Sequence, residues 1–332
     1  MRKEFIKAAD KSDIFSKLIE FPLQLRKGWN IAGSTVIDPD DFDSVIFCGM
    51  GGSAISGDLF RALAGDRLTI PYEVVRDYKL PLYAGAKTLC IASSYSGNTE
   101  ETMSAVSAAL EKGCTVAAVT SGGKLERLAK KHNLYIYKLP GGYPPRSALG
   151  FSLGVLMSLF ERTVCSREEF ENICGFLDSY AEKWSSTEEE INTALQAALQ
   201  VAGNLPLIYS STDTAAAGMR WKAQFNENSK THAFFSPLPE MNHNEIVGWT
   251  ALDSTETFYK NLHMIILRTE DDDSRMHLRM DTMKKIAADT GRPVLDIRAE
   301  GVSRIARILY LVFLGDMASF YLAVLYGADP TA

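Results

Sequence analysis

The chain has 332 residues, more than a single hydrophobic core usually supports, so its length predicts two domains. Hydrophobic residues make up 46% and charged residues 23%, which is typical of a globular enzyme and excludes a disordered or fibrous chain. The formal net charge of −6 argues against nucleic acid and anionic membranes as partners, because they require clustered Lys and Arg.

Neither end of the chain carries a membrane signal by composition. The N-terminus lacks the apolar stretch of a signal peptide, and no window reaches the roughly 20 apolar residues of a membrane span. The longest apolar stretch, 305–326, contains Arg307, Gly315 and Asp316 and predicts a buried helix. Five cysteines are odd in number and lie mostly in apolar runs, as free thiols do. We expect a reduced, cytoplasmic protein.

In the first half of the chain, short runs rich in β-branched residues alternate with segments of helical spacing. The runs predict five strands, at 44–48, 72–75, 88–92, 115–119 and 134–137. The segments between them predict helices at 54–64, 99–112 and 124–132. Strands and helices in this rhythm form a parallel sheet that is covered on both faces.

A second cycle of strands and helices follows a predicted helix from Arg146 to Thr163 and a Glu-rich helical connection at about 166–200. It comprises strands at 205–209, 232–235, 261–267 and 293–297 and a helix at 214–227. The predicted fold class is therefore α/β, with two doubly wound parallel-sheet domains, each a three-layer αβα sandwich. Their predicted ranges are 1–163 and 164–332.

A glycine-rich turn, GMGGSAISG at 49–57, follows the first predicted strand. Glycines at a strand-to-helix turn allow backbone N–H groups to approach an anion at the helix N-terminus. The turn is also close to a dinucleotide fingerprint, with Glu73 near the position of a ribose-binding acid. This turn by itself is compatible with a dehydrogenase and with a phosphate-binding protein.

The turn after the third strand is crowded with four hydroxyl side chains, those of Ser93, Ser94, Ser96 and Thr99. A dinucleotide site has no need of them, whereas hydroxyl and backbone N–H groups at a helix start complement the oxygens of a phosphate monoester. Helix capping by Thr99, with Glu101 or Thr102 closing the first turn, explains one or two of the four. The turn therefore predicts a phosphate site.

Two segments, GGS at 51–53 and SYSGNTEET at 94–102, resemble the sugar isomerase (SIS) domain. Three more resemble the bifunctional phosphoglucose/phosphomannose isomerase family: PPRSALG at 144–150, QFNENSK at 224–230 and NHNEIVGW at 242–249. The resemblance extends from about 44 to 331. It implies interconversion of glucose 6-phosphate and mannose 6-phosphate with fructose 6-phosphate through an enediol. The implied phosphate-binding residues are Gly52, Ser53, Ser94, Ser96 and Thr99, with the sugar between the domains.

The resemblance also implies the roles of three polar side chains. Glu227 matches the family's proton-transferring glutamate, for which a partly desolvated carboxylate is suitable. His243 matches the histidine that opens the sugar ring, because an imidazole exchanges protons near neutral pH. Arg146 matches an arginine that faces the enediolate, where a cation stabilises the developing charge. Without the surrounding segments, these would be ordinary helix-end, loop and ion-paired residues.

Substrate choice and assembly are implied in the same way. Thr331 matches the threonine associated with accepting either C2 epimer, whereas the family's usual helical tail with a lysine has no counterpart after Ala332. The family histidine comes from the neighbouring subunit, which implies a homodimer. A redox-neutral reaction and histidines without metal-ligand spacing predict no cofactor and no metal. We expect the other four histidines to be ordinary surface or core residues: His132, His232, His263 and His277.

Two alternatives belong to different functional classes. A sugar-phosphate sensor would keep the binding site without catalysis, but the chain shows no DNA-binding module and carries both Glu227 and His243. An isomerase or lyase of an amino-sugar phosphate would share the phosphate turn and differ around the sugar ring. The sequence leaves this second alternative open.

Overall fold

The computed structural model describes residue 1 and residues 3–33, 37–250 and 260–332. The chain forms two compact units, one of residues 20–175 and one of residues 1–19 with 176–332. The predicted ranges 1–163 and 164–332 differ from these units in two segments, 1–19 and 164–175. Helices α1 (Lys3–Ala9) and α2 (Ile14–Ile19) belong to the second unit because they contact its last helix. The ring of Phe15, for example, lies 5.0 Å from that of Phe320.

The first unit is a five-stranded sheet with strand order β2-β1-β3-β4-β5, in which all neighbours are parallel. Its elements in chain order are α3 (Phe21–Ala32), β1 (Ser44–Cys48), α4 (Gly51–Ala64), β2 (Tyr72–Val75), β3 (Thr88–Ser93), α5 (Glu100–Glu111), β4 (Thr115–Thr120), α6 (Gly123–Lys131), β5 (Tyr135–Lys138), α7 (Leu149–Leu159) and α8 (Glu161–Val164). Every residue of β1 and β3 is buried, as expected of central strands covered on both faces.

The second unit is a four-stranded parallel sheet with strand order β7-β6-β8-β9. Helix α9 (Arg167–Ser185) runs from the first unit into it. The following elements are α10 (Thr193–Val201), β6 (Leu205–Ser211), α11 (Ala215–Glu227), β7 (Phe234–Leu238), α12 (Ile246–Thr250), β8 (Leu262–Arg268), α13 (Ser274–Asp289), β9 (Val294–Arg298) and α14 (Arg304–Leu325). The predicted fold class is confirmed: two doubly wound parallel sheets.

Helix α14 is the core helix of the second unit. By length and composition it is the one helix of the described residues that could cross a membrane, but 94% of its apolar window is buried inside the protein. The prediction of a buried helix at 305–326 is confirmed. Its Asp316 accepts two hydrogen bonds from Arg220 of α11, at 2.8 and 2.7 Å, so the buried carboxylate of Asp316 is ion-paired within the core. All five cysteines are free and buried.

His263, in the middle sheet strand β8, is a core residue with 2% exposure. Neither ring nitrogen has a hydrogen-bond partner in the described part of the chain. Burial lowers the pKa of His263 to about 4, because a charged imidazole would lose its hydration there. The folded protein therefore keeps this ring neutral at pH values at which an unfolded histidine, with a pKa near 6.5, takes up a proton.

We expect this histidine to make the protein sensitive to acid. As the pH falls from about 6.5 to about 4, protonation favours the unfolded chain, and His263 alone lowers the free energy of unfolding by about 3 kcal/mol. The variant His263→Leu should lose less stability than wild type between pH 7 and pH 4 in urea unfolding. The exposed His132→Gln serves as control. Parallel pH profiles for His263→Leu and wild type would contradict the assignment.

Candidate functional site

The strand order of the first sheet reverses between β1 and β3. The chain leaves β1 through α4 toward β2 on one side and leaves β3 through α5 toward β4 on the other. When the connections of two neighbouring strands run to opposite sides in this way, they leave a crevice at the carboxyl ends of the strands, where ligands of open α/β sheets bind. Helices α4 and α5 both begin at this edge, so two sets of helix-start N–H groups lie beside the crevice.

The glycine-rich turn forms one wall of this crevice. Helix α4 has no side-chain cap, and Gly51 has a positive φ of 50°, which glycine adopts at little cost. A Cβ on Gly52 would lie 3.1 Å from the carbonyl oxygen of Pro145 and 3.2 Å from the Cα of Arg146. The turn is therefore in close contact with the backbone of the segment that carries Arg146. Two of the predicted site residues, Gly52 and Arg146, are neighbours.

The hydroxyl-rich turn forms the second wall. The hydroxyl of Ser53 accepts a hydrogen bond from the N–H of Tyr95 at 3.2 Å, which joins the two walls. The hydroxyls of Ser94 and Thr99 are 2.8 Å apart, and Ser94 also accepts from the N–H of Gly97 at 3.1 Å. Ser94 is buried, Thr99 is half-buried and Ser96 is exposed. The structure thus brings the hydroxyls of Ser94 and Thr99 into contact and joins Ser53 to the same turn.

Plain helix capping does not account for these hydroxyls. Thr99 occupies the N-cap position of α5, but its side chain makes no cap hydrogen bond and contacts Ser94 instead. Ser93, which the sequence grouped with the other hydroxyls, lies 3.3 Å from the hydroxyl of Ser152 in α7 and is a core residue. The turn therefore keeps its helix-start N–H groups clear of its own hydroxyl side chains.

A glycine that the sequence analysis did not single out fixes the shape of the turn. Gly97 has a φ of 65°, and a Cβ there would lie 1.8 Å from the carbonyl oxygen of Gly122. The turn after β4 supports it further, since the N–H of Lys124 donates to the side-chain oxygen of Asn98 at 3.2 Å. The glycine pair Gly122–Gly123 shortly after β4 is the feature of the sequence that could have predicted this close contact between the two turns.

We expect Ser94 and Ser96 to differ in what they stabilise. Ser94→Ala removes the hydroxyl that contacts Thr99, while the Gly97 N–H keeps the Ser94 carbonyl as an acceptor at 3.0 Å, so the free energy of unfolding should fall by about 0.5–1.5 kcal/mol. Ser96→Ala, at an exposed position, should change it by less than about 0.5 kcal/mol. Urea unfolding of the two variants measures both effects. Equal losses would show that Ser94 does not order the turn.

In the second unit, Glu227 is the last residue of α11 and is exposed, where the sequence suggested a partly desolvated carboxylate. The end of this helix is anchored to α14. Asn228 donates to the hydroxyl of Ser319 at 2.9 Å, and the hydroxyl of Ser229 donates to the Ser319 carbonyl at 2.7 Å. Together with the Arg220 ion pair, these contacts hold the predicted segment 224–230 rigidly at the end of α11.

His243 ends a short 3-10 helix, Glu240–His243, and is exposed. Two residues later, the carboxylate of Glu245 accepts hydrogen bonds from the hydroxyls of Tyr209 and Ser236, both at 2.5 Å. Burial, followed by the hydrogen bond to Glu245, raises the pKa of Tyr209 well above its usual value. The segment was predicted for its histidine, whereas Glu245, which anchors it to β6 and β7, was not predicted.

Thr331 lies close to the end of the same unit. Its N–H donates to a carboxylate oxygen of Asp329 at 2.8 Å, whereas its buried hydroxyl has no hydrogen-bond partner among the described residues. Lys230 contacts the carbonyl of Ala332, and its ammonium is 2.5 Å from the carbonyl of Glu227. The segments that carry Glu227 and Thr331 are therefore connected through Lys230.

The second sheet reverses its strand order between β6 and β8, but the crevice there is occupied by a side chain of the protein. The carboxylate of Asp272 accepts from the hydroxyl of Ser211 at 2.5 Å and from the N–H of Thr269 at 2.7 Å. Burial raises the pKa of Asp272, and these two hydrogen bonds oppose the increase. Two donors at this edge, the Ser211 hydroxyl and the Thr269 N–H, are thus already used, and a buried carboxylate lies where an anion would bind.

Comparison with known proteins agrees with this geometry. The model of the bacterial phospho-glucose isomerase C-terminal SIS domain matches residues 190–332. A bifunctional phosphoglucose/phosphomannose isomerase of Caldicellulosiruptor bescii is 39% identical over 96% of this chain and 95% of its own. One from Aquifex aeolicus is 38% identical over 88% of each chain. The C-terminal domain of glucosamine-fructose-6-phosphate aminotransferase from Francisella tularensis has the same fold, with a TM-score of 0.68 at 11% identity over 96% of this chain and 97% of its own.

The order of the two parallel sheets and the match of residues 190–332 to a SIS-domain family model define the class as a SIS-domain protein. The near full-length identity to the relatives narrows the class further. The chain belongs to the bifunctional phosphoglucose/phosphomannose isomerase family. The resemblance inferred from the five sequence segments is confirmed.

Proposed function

We propose that this protein is an aldose–ketose isomerase that interconverts glucose 6-phosphate and mannose 6-phosphate with fructose 6-phosphate. The observation that carries the proposal is the hydroxyl-rich turn between β3 and α5, whose helix start has no side-chain cap. Relatives named for both isomerase activities share 38–39% of their residues with this chain over most of its length. An exposed, uncapped helix start with nearby hydroxyls is suited to a phosphate monoester.

We assign the phosphate to Gly52, Ser53, Ser94, Ser96 and Thr99. Ser96 is the most exposed of these hydroxyls and would contact the ligand directly. Ser94 and Thr99 hold each other and would order the turn around the phosphate oxygens. The close approach of Gly52 to the Arg146 segment supports a cation beside the same crevice. Phosphate binding would then position the sugar carbons for proton transfer.

The chemistry needs a base, a group for ring opening and a cation. In the proposed mechanism, His243 moves the proton between the ring oxygen and the C1 hydroxyl as the ring opens. Glu227 removes the proton from C2 of the open aldose and returns it to C1, while a proton passes from the oxygen on C2 to the oxygen on C1, which gives the ketose. Arg146 stabilises the negative charge of the enediolate. Electrons are redistributed only within the sugar, so the mechanism uses no cofactor and no metal.

Thr331 is assigned to the sugar end of the site, where it would accept either configuration at C2. Its buried hydroxyl, which makes no hydrogen bond to a described residue, is suited to a ligand hydrogen bond. The proposal includes a homodimer in which His243 acts on the substrate of the partner subunit, and a cytoplasmic location. The exposure of His243 and the negative net charge are consistent with both.

The alternatives from the sequence are less well supported. A non-catalytic sensor has no need of the rigid anchoring of Glu227 and of the His243 segment. An isomerase or lyase of an amino-sugar phosphate would use the same phosphate turn, and the relatives named above act, by their names, on phosphoglucose and phosphomannose. The amino sugar is therefore the comparison substrate.

The wild-type enzyme should interconvert fructose 6-phosphate with both aldose phosphates in the presence of excess EDTA. A coupled assay that follows each aldose separately measures the two activities, with glucosamine 6-phosphate in parallel. Because the proposed proton transfers use side chains alone, chelation should leave both rates unchanged. Loss of activity with EDTA would refute the metal-free mechanism, and turnover of glucosamine 6-phosphate alone would favour the amino-sugar alternative.

The variant Glu227→Gln should lower kcat by about 10²- to 10⁴-fold, the usual contribution of a general base. Sugar-phosphate binding, measured by calorimetry, should change little because the phosphate turn lies in the other unit. Glu182→Gln, an exposed glutamate on α9, is the matched control and should keep wild-type kcat. A Glu227→Gln enzyme with wild-type turnover would exclude this carboxylate as the base.

A further inference from the structure

A polar cavity lies in the second unit, at the carboxyl ends of β8 and β9. Its volume is about 480 Å³, within the range of small-molecule sites. Arg268 and Arg298, the last residues of the two strands, line it together with His277 from the first turn of α13. None of the residues assigned to the isomerase reaction lines this cavity.

Arg268 is the most unusual of these residues, because it is only 1% exposed and two of its N–H groups make no hydrogen bond to any described residue. Its Nη1 donates to Asp281 at 2.8 Å. Its Nε is 2.8 Å from an oxygen of Asp296, but neither atom is aligned for a hydrogen bond. Within the described part of the chain, both Nε and Nη2 lack a hydrogen-bond acceptor. Buried N–H groups of a charged side chain rarely stay unsatisfied, so an acceptor from outside the chain is expected here.

Arg298 adds a second positive charge directly beside the first. Arg268 and Arg298 are register partners on parallel neighbouring strands, so their side chains leave the same face of the sheet. Like charges at such positions repel each other. Arg298 is exposed and makes no ion pair with any described residue. An anion between the two guanidinium groups would remove the repulsion.

The carboxylates around the cavity are already engaged. Glu270 is 2.5 Å from Arg307, and Asp281 is bound to Nη1 of Arg268, which lowers the pKa of Asp281. Asp296 also contacts Lys284 at 3.0 Å. The groups left for a ligand are thus the guanidinium of Arg298, the Nη2 group of Arg268 and the imidazole ring of His277.

We propose that this cavity binds a small oxyanion, the phosphate or carboxylate group of a metabolite. The two guanidinium groups would donate charge-assisted hydrogen bonds to its oxygens, and His277 would contact it from α13. The site is not a copy of the sugar-phosphate site, because Asp272 occupies the corresponding reversal point of this sheet. Oxyanion binding here is independent of the proposed isomerase activity, since no residue is shared.

The imidazole signals of His277 in proton NMR spectra give a local readout of binding. They are assigned with His277→Gln and followed as inorganic phosphate, and in a separate series acetate, is added at constant ionic strength. A saturable shift with phosphate alone indicates a phosphate group as the natural ligand, and one with acetate indicates a carboxylate. Ser96→Ala should leave this titration unchanged, because phosphate bound at the isomerase site does not contact His277.

Two surface variants make the test specific. Arg298→Ala should weaken oxyanion binding at least about tenfold, as expected for the loss of a charge-assisted hydrogen bond. Arg275→Ala removes the same charge from an exposed residue of α13 that is paired with Asp273 outside the cavity, and it should bind as wild type does. Both variants are checked for an unchanged melting temperature. No saturable shift with either anion, or equal affinities for the two variants, would overturn the proposal.

Discussion

The reversal of strand order is the constraint on which the rest of this structure depends. In both sheets the chain adds the second strand on one side of the first and all later strands on the other. Helices therefore leave neighbouring strand ends in opposite directions and cannot fill the space between them. Each unit consequently has one predetermined crevice, and the loops at its rim decide what that crevice can bind.

The two crevices show how loop chemistry gives the same topology different properties. In the first unit, the hydroxyls of Ser53, Ser94 and Thr99 form the rim, and hydroxyl groups can complement an anion. In the second, Asp272 takes the two donors of its rim and adds a negative charge in a buried place. A phosphate there would find the Ser211 and Thr269 donors already engaged and would be repelled by the Asp272 carboxylate. The asymmetry restricts the sugar-phosphate proposal to the first unit.

The sequence predicted the nine strands because buried parallel strands are runs of β-branched residues with turns between them. It did not predict that the N-terminal helices pack in the second unit. Phe15 packs against Phe320, and the periodicity of a local segment carries no information on a contact between residues so far apart in sequence. The hydroxyl cluster was predictable from composition at a strand end. The core role of Ser93 was not, because it depends on the distance to Ser152 in a helix that comes later in the chain.

The proposed reactive side chains and the residues that anchor them differ in exposure. Glu227 and His243 are exposed and leave no periodic trace in the sequence, whereas their anchors are buried or half-buried polar pairs. One pair joins Arg220 to Asp316 and the other joins Glu245 to Tyr209. A buried charge is costly unless its partner is in place, so each pair permits essentially one position of the segment that it holds. The fold thus fixes an exposed group through a neighbour that is not exposed, which explains how a surface carboxylate and imidazole could be held ready for proton transfer without a metal to orient them.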